Sequence, residues 1–305
     1  MEPRIQYAKT ADGVSIAFST LGEGMPLVRI PPAPFSHMEM EWQFPELRNW
    51  AQRLAAKRML VRYDGRGSGL SERTVTDYSL DALILDLEAV VDRAGLETFA
   101  LFTSFFLGPV AIAYAARHPE RVSHLILWCC WARASDLWQT AQAEAMLGLA
   151  DKDWDLFTET LAHHNFGWSE GEPAHRWAAV IRESVTPEAF REASKAQREW
   201  DVTGLLPQVQ SPTLVLHRRQ IPFPTVDTAR GLASRIPDAR LVLLEGSSGG
   251  AYMGDVEAVL TAIDEFLGEG EEAAAPLPSG TAVILFADIA DSTALTERMG
   301  DAAFR

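Results

Sequence analysis

Short apolar runs that alternate with helical patterns are the feature that most constrains the fold of this chain. Residues 98–102 have the composition of a buried strand, and residues 109–118 have the pattern of a helix that Pro119 ends. Further strand-like runs lie at residues 26–30, 59–63, 212–217 and 240–244. Such alternation predicts an α/β fold with a mostly parallel, doubly wound sheet.

Two regions depart from this alternation. Residues 14–20 alternate apolar and small polar side chains, which predicts a half-buried antiparallel strand near the N-terminus. From about residue 132 to residue 206 the strand pattern disappears, and helical patterns with tryptophans spaced among acidic residues replace it. We therefore predict a helical insertion between two strands of the sheet.

The segment between strand and helix at residues 103–108 resembles a known family. Residues 108–122 are similar to the sequence that follows the nucleophile elbow of α/β-hydrolases, especially those fused to bacterial class III nucleotide cyclases. Residues 64–71 match the Asp-x-Arg-Gly-x-Gly turn of the same family, and no helix follows them as a phosphate loop would require. The resemblance implies the α/β-hydrolase fold and identifies the helical insertion as its cap.

The catalytic positions of that family are occupied here by residues without catalytic groups. In the register set by the resemblance, the nucleophile position falls on Phe105, the acid position on Ile221 and the histidine position on Gly249. The two elbow glycines fall on Thr103 and Leu107, whose bulk we expect to prevent the close strand–helix approach of the elbow. The resemblance therefore implies no catalytic residues at these positions.

Neighbouring residues do not restore the triad. Ser104 would have Phe102 and Phe106 two positions away on either side, where the elbow needs small residues, and no histidine follows His217. The position of an oxyanion donor falls on Pro34, which has no N–H group. Because triad residues act as a unit, the sequence predicts a hydrolase fold without the catalytic triad.

The replacements convert a polar catalytic floor into an apolar one. Because small-molecule sites are enclosed and mostly apolar, we predict that an apolar ligand binds here. The alternative is that the aromatic side chains fill the vacated space as core. The predicted ligand pocket consists of Pro34, Phe35, Phe105, Phe106, Trp131, Trp138, Ile221 and Tyr252.

The C-terminal part of the chain has a different composition. Residues 269–280 are small, charged and interrupted by proline, which predicts a linker after a hydrolase-like domain over residues 1–268. Residues 281–305 resemble the first strand, turn and helix of class III cyclases, and Asp288 matches one of the two aspartates that hold the metal ions there. The resemblance implies a truncated cyclase domain, Mg²⁺ or Mn²⁺ for the full-length cyclase, no cofactor in this chain, and a homodimer through the cyclase domain.

These observations lead to a predicted function and to two alternatives. The prediction is a non-catalytic, ligand-sensing regulatory domain of a class III adenylate or guanylate cyclase, which in full would convert ATP to cyclic AMP. One alternative is an active hydrolase with a non-standard nucleophile, namely Ser104, Cys129 or Cys130 with His37 or His124. The other is a structural dimerisation module.

Composition excludes several classes of function. A formal net charge of −15 argues against nucleic-acid binding, which needs a basic surface. The longest apolar runs are far shorter than the roughly 18 residues of a membrane helix, and the N-terminus has no secretory apolar segment, so we predict a cytoplasmic protein. The adjacent Cys129 and Cys130 are expected to pack on opposite faces of a strand as small hydrophobes.

Overall fold

The computed structural model describes residues 3–32, 34–138, 141–166 and 171–268, all within one compact unit, Met1–Gly270. The side chains of residues 137, 138 and 141–143 are not described. The predicted linker and the cyclase-like segment, including Asp288, lie outside the described residues. Their assignment therefore stays a prediction.

The core of the described chain is an eight-stranded sheet in the order β1-β2-β4-β3-β5-β6-β7-β8. β1 pairs with β2 and β2 with β4 in antiparallel orientation, and every other pair is parallel. This confirms the predicted mostly parallel, doubly wound sheet and its antiparallel N-terminal strand. The strands are β1 (Gln6–Lys9), β2 (Ser15–Leu21), β3 (Pro26–Arg29), β4 (Met59–Tyr63), β5 (Phe99–Ser104), β6 (Val122–Trp128), β7 (Thr213–Arg218) and β8 (Ala239–Leu244).

Helices cover both faces of this sheet, so the central strands are apolar on both sides. The helices are α1 (Met38–Gln43), α2 (Pro45–Ala55), α3 (Leu80–Arg93), α4 (Gly108–Arg117), α5 (Ser135–Trp138), α6 (Ala141–Lys152), α7 (Trp154–Phe166), α8 (Gly171–Ser184), α9 (Pro187–Gln197), α10 (Val226–Ala233) and α11 (Val256–Phe266). The apolar residues of α3, α4 and α10 form the core on one face of the sheet, and those of α2 and α11 form the core on the other.

Side-chain alternation along the strands divides the two cores. Leu101 and Cys130 contribute to the core beneath α3 and α4, whereas Phe102 and Cys129 contribute to the core beneath α2 and α11. Both cysteines are buried and neither is in a disulfide. They pack on opposite faces as small hydrophobes, as predicted, but not within a strand, because β6 ends at Trp128 and Cys129 has φ of +49°.

Helices α5 to α9 lie between β6 and β7 and form the predicted cap. A separate apolar cluster holds the cap together and includes Phe157, Phe166, Trp177 and Phe190. Trp200, which the sequence pattern groups with the cap, packs instead into the core beneath α4. No helix in the described part of the chain combines the length and the hydropathy needed to cross a bilayer.

Candidate functional site

The turn after β5 keeps the strained backbone of a nucleophile elbow. Phe105 has φ of +51°, in the left-handed region that a bulky residue seldom adopts and that costs roughly 1 kcal/mol or more. It lies between the end of β5 and the start of α4, where a hydrolase places its nucleophile. The elbow backbone is therefore present with an aromatic side chain at its apex.

The expectation that Thr103 and Leu107 prevent the close strand–helix approach is wrong. The approach is made one residue later, at Gly108, where an added Cβ would lie 2.7 Å from Cβ of Cys130 and 2.9 Å from the carbonyl oxygen of Trp131. Thr103 and Leu107 are both buried without displacing the turn. The small residue that the elbow requires is thus supplied at a different position.

A cavity of about 660 Å³ lies between this elbow and the cap. Its floor comes from the ends of β5 and β6 and from the loop after β8, and its roof comes from α6 and α7. The lining is predominantly aromatic and aliphatic, and it includes Phe35, Phe102, Phe105, Phe106, Trp128, Trp131, Met146, Leu147, Leu161, Trp177, Phe190, Phe223 and Tyr252. A mostly apolar, concave space of this size is typical of small-molecule sites.

Most, but not all, of the residues predicted for the ligand pocket meet at this cavity. Phe35, Phe105, Phe106, Trp131 and Tyr252 line it. Pro34 and Ile221 are buried outside the lining, to which the same two loops contribute Pro32, Phe35, Pro222, Phe223 and Thr225. The side chain of Trp138 is not among those described.

Ile221 is absent from the lining because its side chain packs into the core of the sheet and not toward the cavity. It belongs to the apolar core beneath α2 and α11, together with Trp128 and Ala251. The loop after β7 then turns so that Phe223 reaches the aromatic wall, with its ring centroid 6.2 Å from that of Trp131. Sequence register alone does not reveal this turn of the loop.

The aromatic side chains form walls and leave the space between them open. The ring of Phe106 meets that of Trp131 edge to face, with centroids 5.4 Å apart, and meets that of Phe35 similarly at 6.3 Å. Phe35 in turn stacks on Phe190 of the cap at 5.6 Å. Such contacts stabilise a rigid enclosure, so the aromatic residues line a cavity rather than fill it.

Several side chains bring polar atoms to the cavity, among them Ser104, Tyr252 and His164. The side chains of Ser104, Tyr252 and His164 make no hydrogen bond with any residue that the structure describes, and all three lie in the lining. Burial raises the pKa of Tyr252, and partial desolvation lowers the pKa of His164, which remains an exposed residue. Both groups are therefore neutral at pH 7, and each offers hydrogen bonds to a bound molecule.

The structure brings the predicted nucleophile and histidine positions together. An added Cβ on Gly249 would lie 3.2 Å from the ring of Phe105. The Gly249 N–H donates to the carbonyl oxygen of Asn165 at 3.0 Å, and its carbonyl oxygen accepts from Nε1 of Trp128 at 2.7 Å. The loop after β8 is thus tied both to the cap and to the sheet at this point.

A buried arginine holds the rest of that loop. The guanidinium of Arg218, at the end of β7, donates to the carbonyl oxygens of Ser248 at 2.8 Å and Gly250 at 3.0 Å, and also to that of Met253. Its Cζ lies 5.1 Å from the ring centroid of Trp128. Because residues 249–252 line the cavity, Arg218 is a positioning residue for the cavity floor.

A buried ion cluster lies beside the cavity, and sequence analysis missed it. One oxygen of Glu41, Oε2, accepts from Nη1 of Arg29 and from Nη2 of Arg62, each at 2.8 Å. Arg29 and Arg62 are paired residues of β3 and β4, so two like charges stand side by side in the sheet. An arginine near the end of each of two apolar core strands is a sequence signal for such a cluster, since buried arginines require a counter-ion.

Asp64 is a further buried acid next to this cluster. Its carboxylate accepts from the backbone N–H groups of Met38 and Leu70, the shortest contacts being 3.0 and 2.9 Å. Burial outweighs these donors and raises the pKa of Asp64 to about 7. The carboxyl group of Asp64 therefore binds its proton more tightly in the folded chain than in the unfolded chain.

Stability is accordingly expected to fall as pH rises from about 4 to about 7, by up to roughly 1.4 kcal/mol per pH unit for this one group. The stabilisation from the raised pKa of Asp64 is complete below the pKa of this group in the unfolded chain. It is lost as pH passes the pKa of the group in the folded chain. Urea unfolding of the protein and of Asp64→Asn across this range measures it. Equal pH slopes for the two proteins would contradict the prediction.

The other nucleophiles named from the sequence are poorly placed. Burial raises the pKa of Cys129 to about 12 and raises that of Cys130 well above its ordinary value, so neither forms a thiolate readily. His37 caps α1, with its Nδ1 accepting from the Met40 N–H at 3.5 Å. His124 packs edge-on against Phe266, on the side of the sheet that α11 covers. Neither histidine lines the cavity.

Comparison with known proteins finds hydrolases. No family model matches the chain. The chain is 27% identical to the AB hydrolase superfamily protein YisY of Bacillus subtilis over 272 residues, covering 85% of this chain and 98% of that protein. It is also 27% identical to 3-oxoadipate enol-lactonase 2 of Acinetobacter baylyi over 246 residues, covering 78% of this chain and 88% of the relative.

Solved structures show the same fold. A hydrolase from Pseudomonas aeruginosa superimposes with a TM-score of 0.75 at 22% identity, covering 87% of this chain and 98% of that one. The enol-lactonase from Burkholderia xenovorans superimposes with a TM-score of 0.72 at 21% identity, covering 87% of this chain and 100% of that one. The described part of the chain therefore has the α/β-hydrolase fold, as the resemblance implies.

The function predicted from the sequence is wrong. A non-catalytic, ligand-sensing regulatory domain of a nucleotide cyclase is contradicted by these relatives, which match most of the chain and are named as hydrolases. The active-hydrolase alternative agrees better with their names. The resemblance to cyclase-fused hydrolases identified the fold correctly, whereas the regulatory function inferred from it is contradicted.

Proposed function

We propose that the chain binds a small, largely apolar molecule in the cavity between the sheet and the cap. The observation that carries this proposal is the cavity itself, about 660 Å³ walled by aromatic and aliphatic side chains. Water in such a space finds few hydrogen-bond partners, so an apolar ligand that replaces it is favoured. The name of one relative, 3-oxoadipate enol-lactonase 2, specifies a small-molecule substrate, which supports a small molecule as the ligand.

A tryptophan introduced into the lining tests this proposal. Ala145 lies on α6 at the cavity, and a large side chain there would occupy ligand space. We expect Ala145→Trp to weaken binding of the neutral apolar dye Nile red by about tenfold. A change of this size corresponds to the free energy of burying roughly two methylene groups of the dye. Fluorescence titration of the dye measures this affinity.

Glu144→Trp is the matched control, because Glu144 is exposed on the same helix and outside the lining. It should leave the dye affinity unchanged within about twofold. A twofold change in affinity corresponds to less free energy than one hydrogen bond contributes. Absence of dye binding by the unmodified protein, or equal affinities for all three proteins, would refute binding at this cavity.

Hydrolysis of the bound molecule is a second candidate function, favoured by the hydrolase names of the relatives and by two cavity residues. We propose that the family positions at Phe105, Ile221 and Gly249 take no part, because none has a nucleophilic, acidic or basic group. The nucleophile would be the hydroxyl of Ser104, and the base would be the neutral imidazole of His164, since both line the cavity.

Turnover of p-nitrophenyl butyrate by the protein, by Ser104→Ala and by His164→Gln decides this second candidate. Hydrolysis that both substitutions reduce by about a hundredfold or more, the usual contribution of one general base, supports it. Turnover that is equal in all three proteins excludes Ser104 and His164 while leaving the binding proposal intact.

A further inference from the structure

The cavity has a charged group at one edge. Arg29, the last residue of β3, lines the cavity, and only 8% of its surface is exposed. Among the described lining residues it is the one whose side chain carries a charge at neutral pH, since the others are apolar, hydroxyl, amide or neutral imidazole groups. An otherwise apolar space therefore contains one guanidinium.

The partner of Arg29 does not neutralise it fully. Glu41 is its only hydrogen-bond partner within the described chain, through Nη1, and the same carboxylate oxygen also serves Arg62. Two positive charges thus share one negative charge. The nearby carboxylate of Asp64 accepts from backbone N–H groups rather than from an arginine. The two arginines and Glu41 therefore carry a net positive charge beside the cavity.

A guanidinium has five N–H donors in a planar fork, and Arg29 directs only one nitrogen at Glu41. Its remaining donors have no acceptor among the residues that the structure describes. Holding such a charge next to an apolar space is costly unless an anion completes its hydrogen bonds. A carboxylate matches the guanidinium fork in shape and charge.

We propose that the ligand of this cavity is an apolar carboxylic acid, with its carboxylate bound by Arg29 and its apolar body held by the aromatic walls. The hydroxyl of Tyr252, which lines the same cavity, is available as a second donor to the carboxylate. This inference rests on the proposed small-molecule binding and specifies the class of molecule. An aliphatic or aryl-substituted monocarboxylic acid fits both the walls and the charge.

Decanoate and decan-1-ol are matched probes, because they share an apolar chain and differ in charge. Displacement of Nile red at pH 7.5 gives the affinity of each. A neutral apolar cavity would favour the alcohol, since a carboxylate loses its hydration on entry. We expect the unmodified protein to bind decanoate at least about tenfold more tightly than decan-1-ol, the effect of one charge-assisted hydrogen bond.

Arg29→Met tests the assignment of the charge. The substitution leaves Glu41 paired with Arg62 as a balanced ion pair, so the variant is expected to fold. It should weaken decanoate binding by roughly tenfold to a hundredfold and change decan-1-ol binding by less than about threefold. Arg133→Met, at an exposed arginine outside the lining, is the control and should change neither affinity.

The outcomes separate the two proposals. If the unmodified protein binds neither probe and no dye, the proposed function itself fails. If it binds decan-1-ol as tightly as decanoate, the cavity binds apolar molecules but the acid class is wrong. If Arg29→Met weakens both probes equally, Arg29 does not recognise the carboxylate. Should Arg29→Met fail to fold, the comparison of the two probes on the unmodified protein still decides the ligand class.

Discussion

Replacing Glu41 with alanine should lower the free energy of unfolding by about 3–5 kcal/mol, the range for removing one partner from a buried ion cluster. Glu41 is 2% exposed and is the shared acceptor of Arg29 and Arg62. Without it, two guanidiniums that are paired across β3 and β4 would repel each other in a region with little water. A loss of this size is a large fraction of the stability of a typical domain.

Urea unfolding followed by tryptophan fluorescence measures this loss. Glu39→Ala is the matched control, because Glu39 is exposed on the same helix and should change the free energy by less than about 0.5 kcal/mol. A loss below about 1 kcal/mol for Glu41→Ala would mean that water or rearranged side chains compensate the two arginines, and that the cluster is not a buried ion group.

Replacing Arg218 with methionine should lower the free energy of unfolding by about 2–4 kcal/mol, because several buried carbonyl oxygens lose their donor together. Arg218 is 1% exposed, and its acceptors lie along residues 248–255. Those residues include a stretch of the cavity floor. The substitution should therefore also weaken Nile red binding, since the floor would no longer be held in one conformation.

The adjacent Arg219→Met is a close control for this prediction. Arg219 is half exposed, and its ion pair with Glu245 at 3.0 Å is a surface contact. Such pairs contribute at most about 1 kcal/mol, so we expect a small change in stability and no change in dye affinity. Equal effects of the two substitutions, measured by urea unfolding and by dye titration, would show that Arg218 does not hold the loop.

Several features of the site were predictable because the residues responsible are neighbours along the chain. The strand, turn and helix around Phe105 form one continuous segment, so its resemblance to the family's elbow places the turn without tertiary information. The aromatic walls at Phe106, Trp131 and Tyr252 were likewise predicted, because each follows the end of a core strand. In a parallel sheet those ends meet at one edge.

Other features depend on contacts between residues far apart in sequence. Gly108 packs closely against Cys130, and Gly249 donates a hydrogen bond to the cap residue Asn165. Neither contact produces a periodic pattern in the sequence. The direction of Ile221 was mispredicted for the same reason, since the path of the loop after β7 depends on what packs beneath it. Local pattern specifies an element, but not which side of a loop faces a cavity.

By itself, the sequence determined an α/β fold with a mostly parallel sheet and a helical insertion, because apolar periodicity and local turn residues specify elements and their order. Its resemblance to α/β-hydrolases implied the hydrolase fold, the cap and the place of the elbow. Only the tertiary structure decided that the elbow keeps its strain at Phe105, that an open cavity lies above it, and that Arg29 lies at the cavity edge. These three features depend on strand register and on packing between segments that are distant in the sequence. Residues that no local pattern connects together determine the volume of the cavity and the balance of charge at its edge.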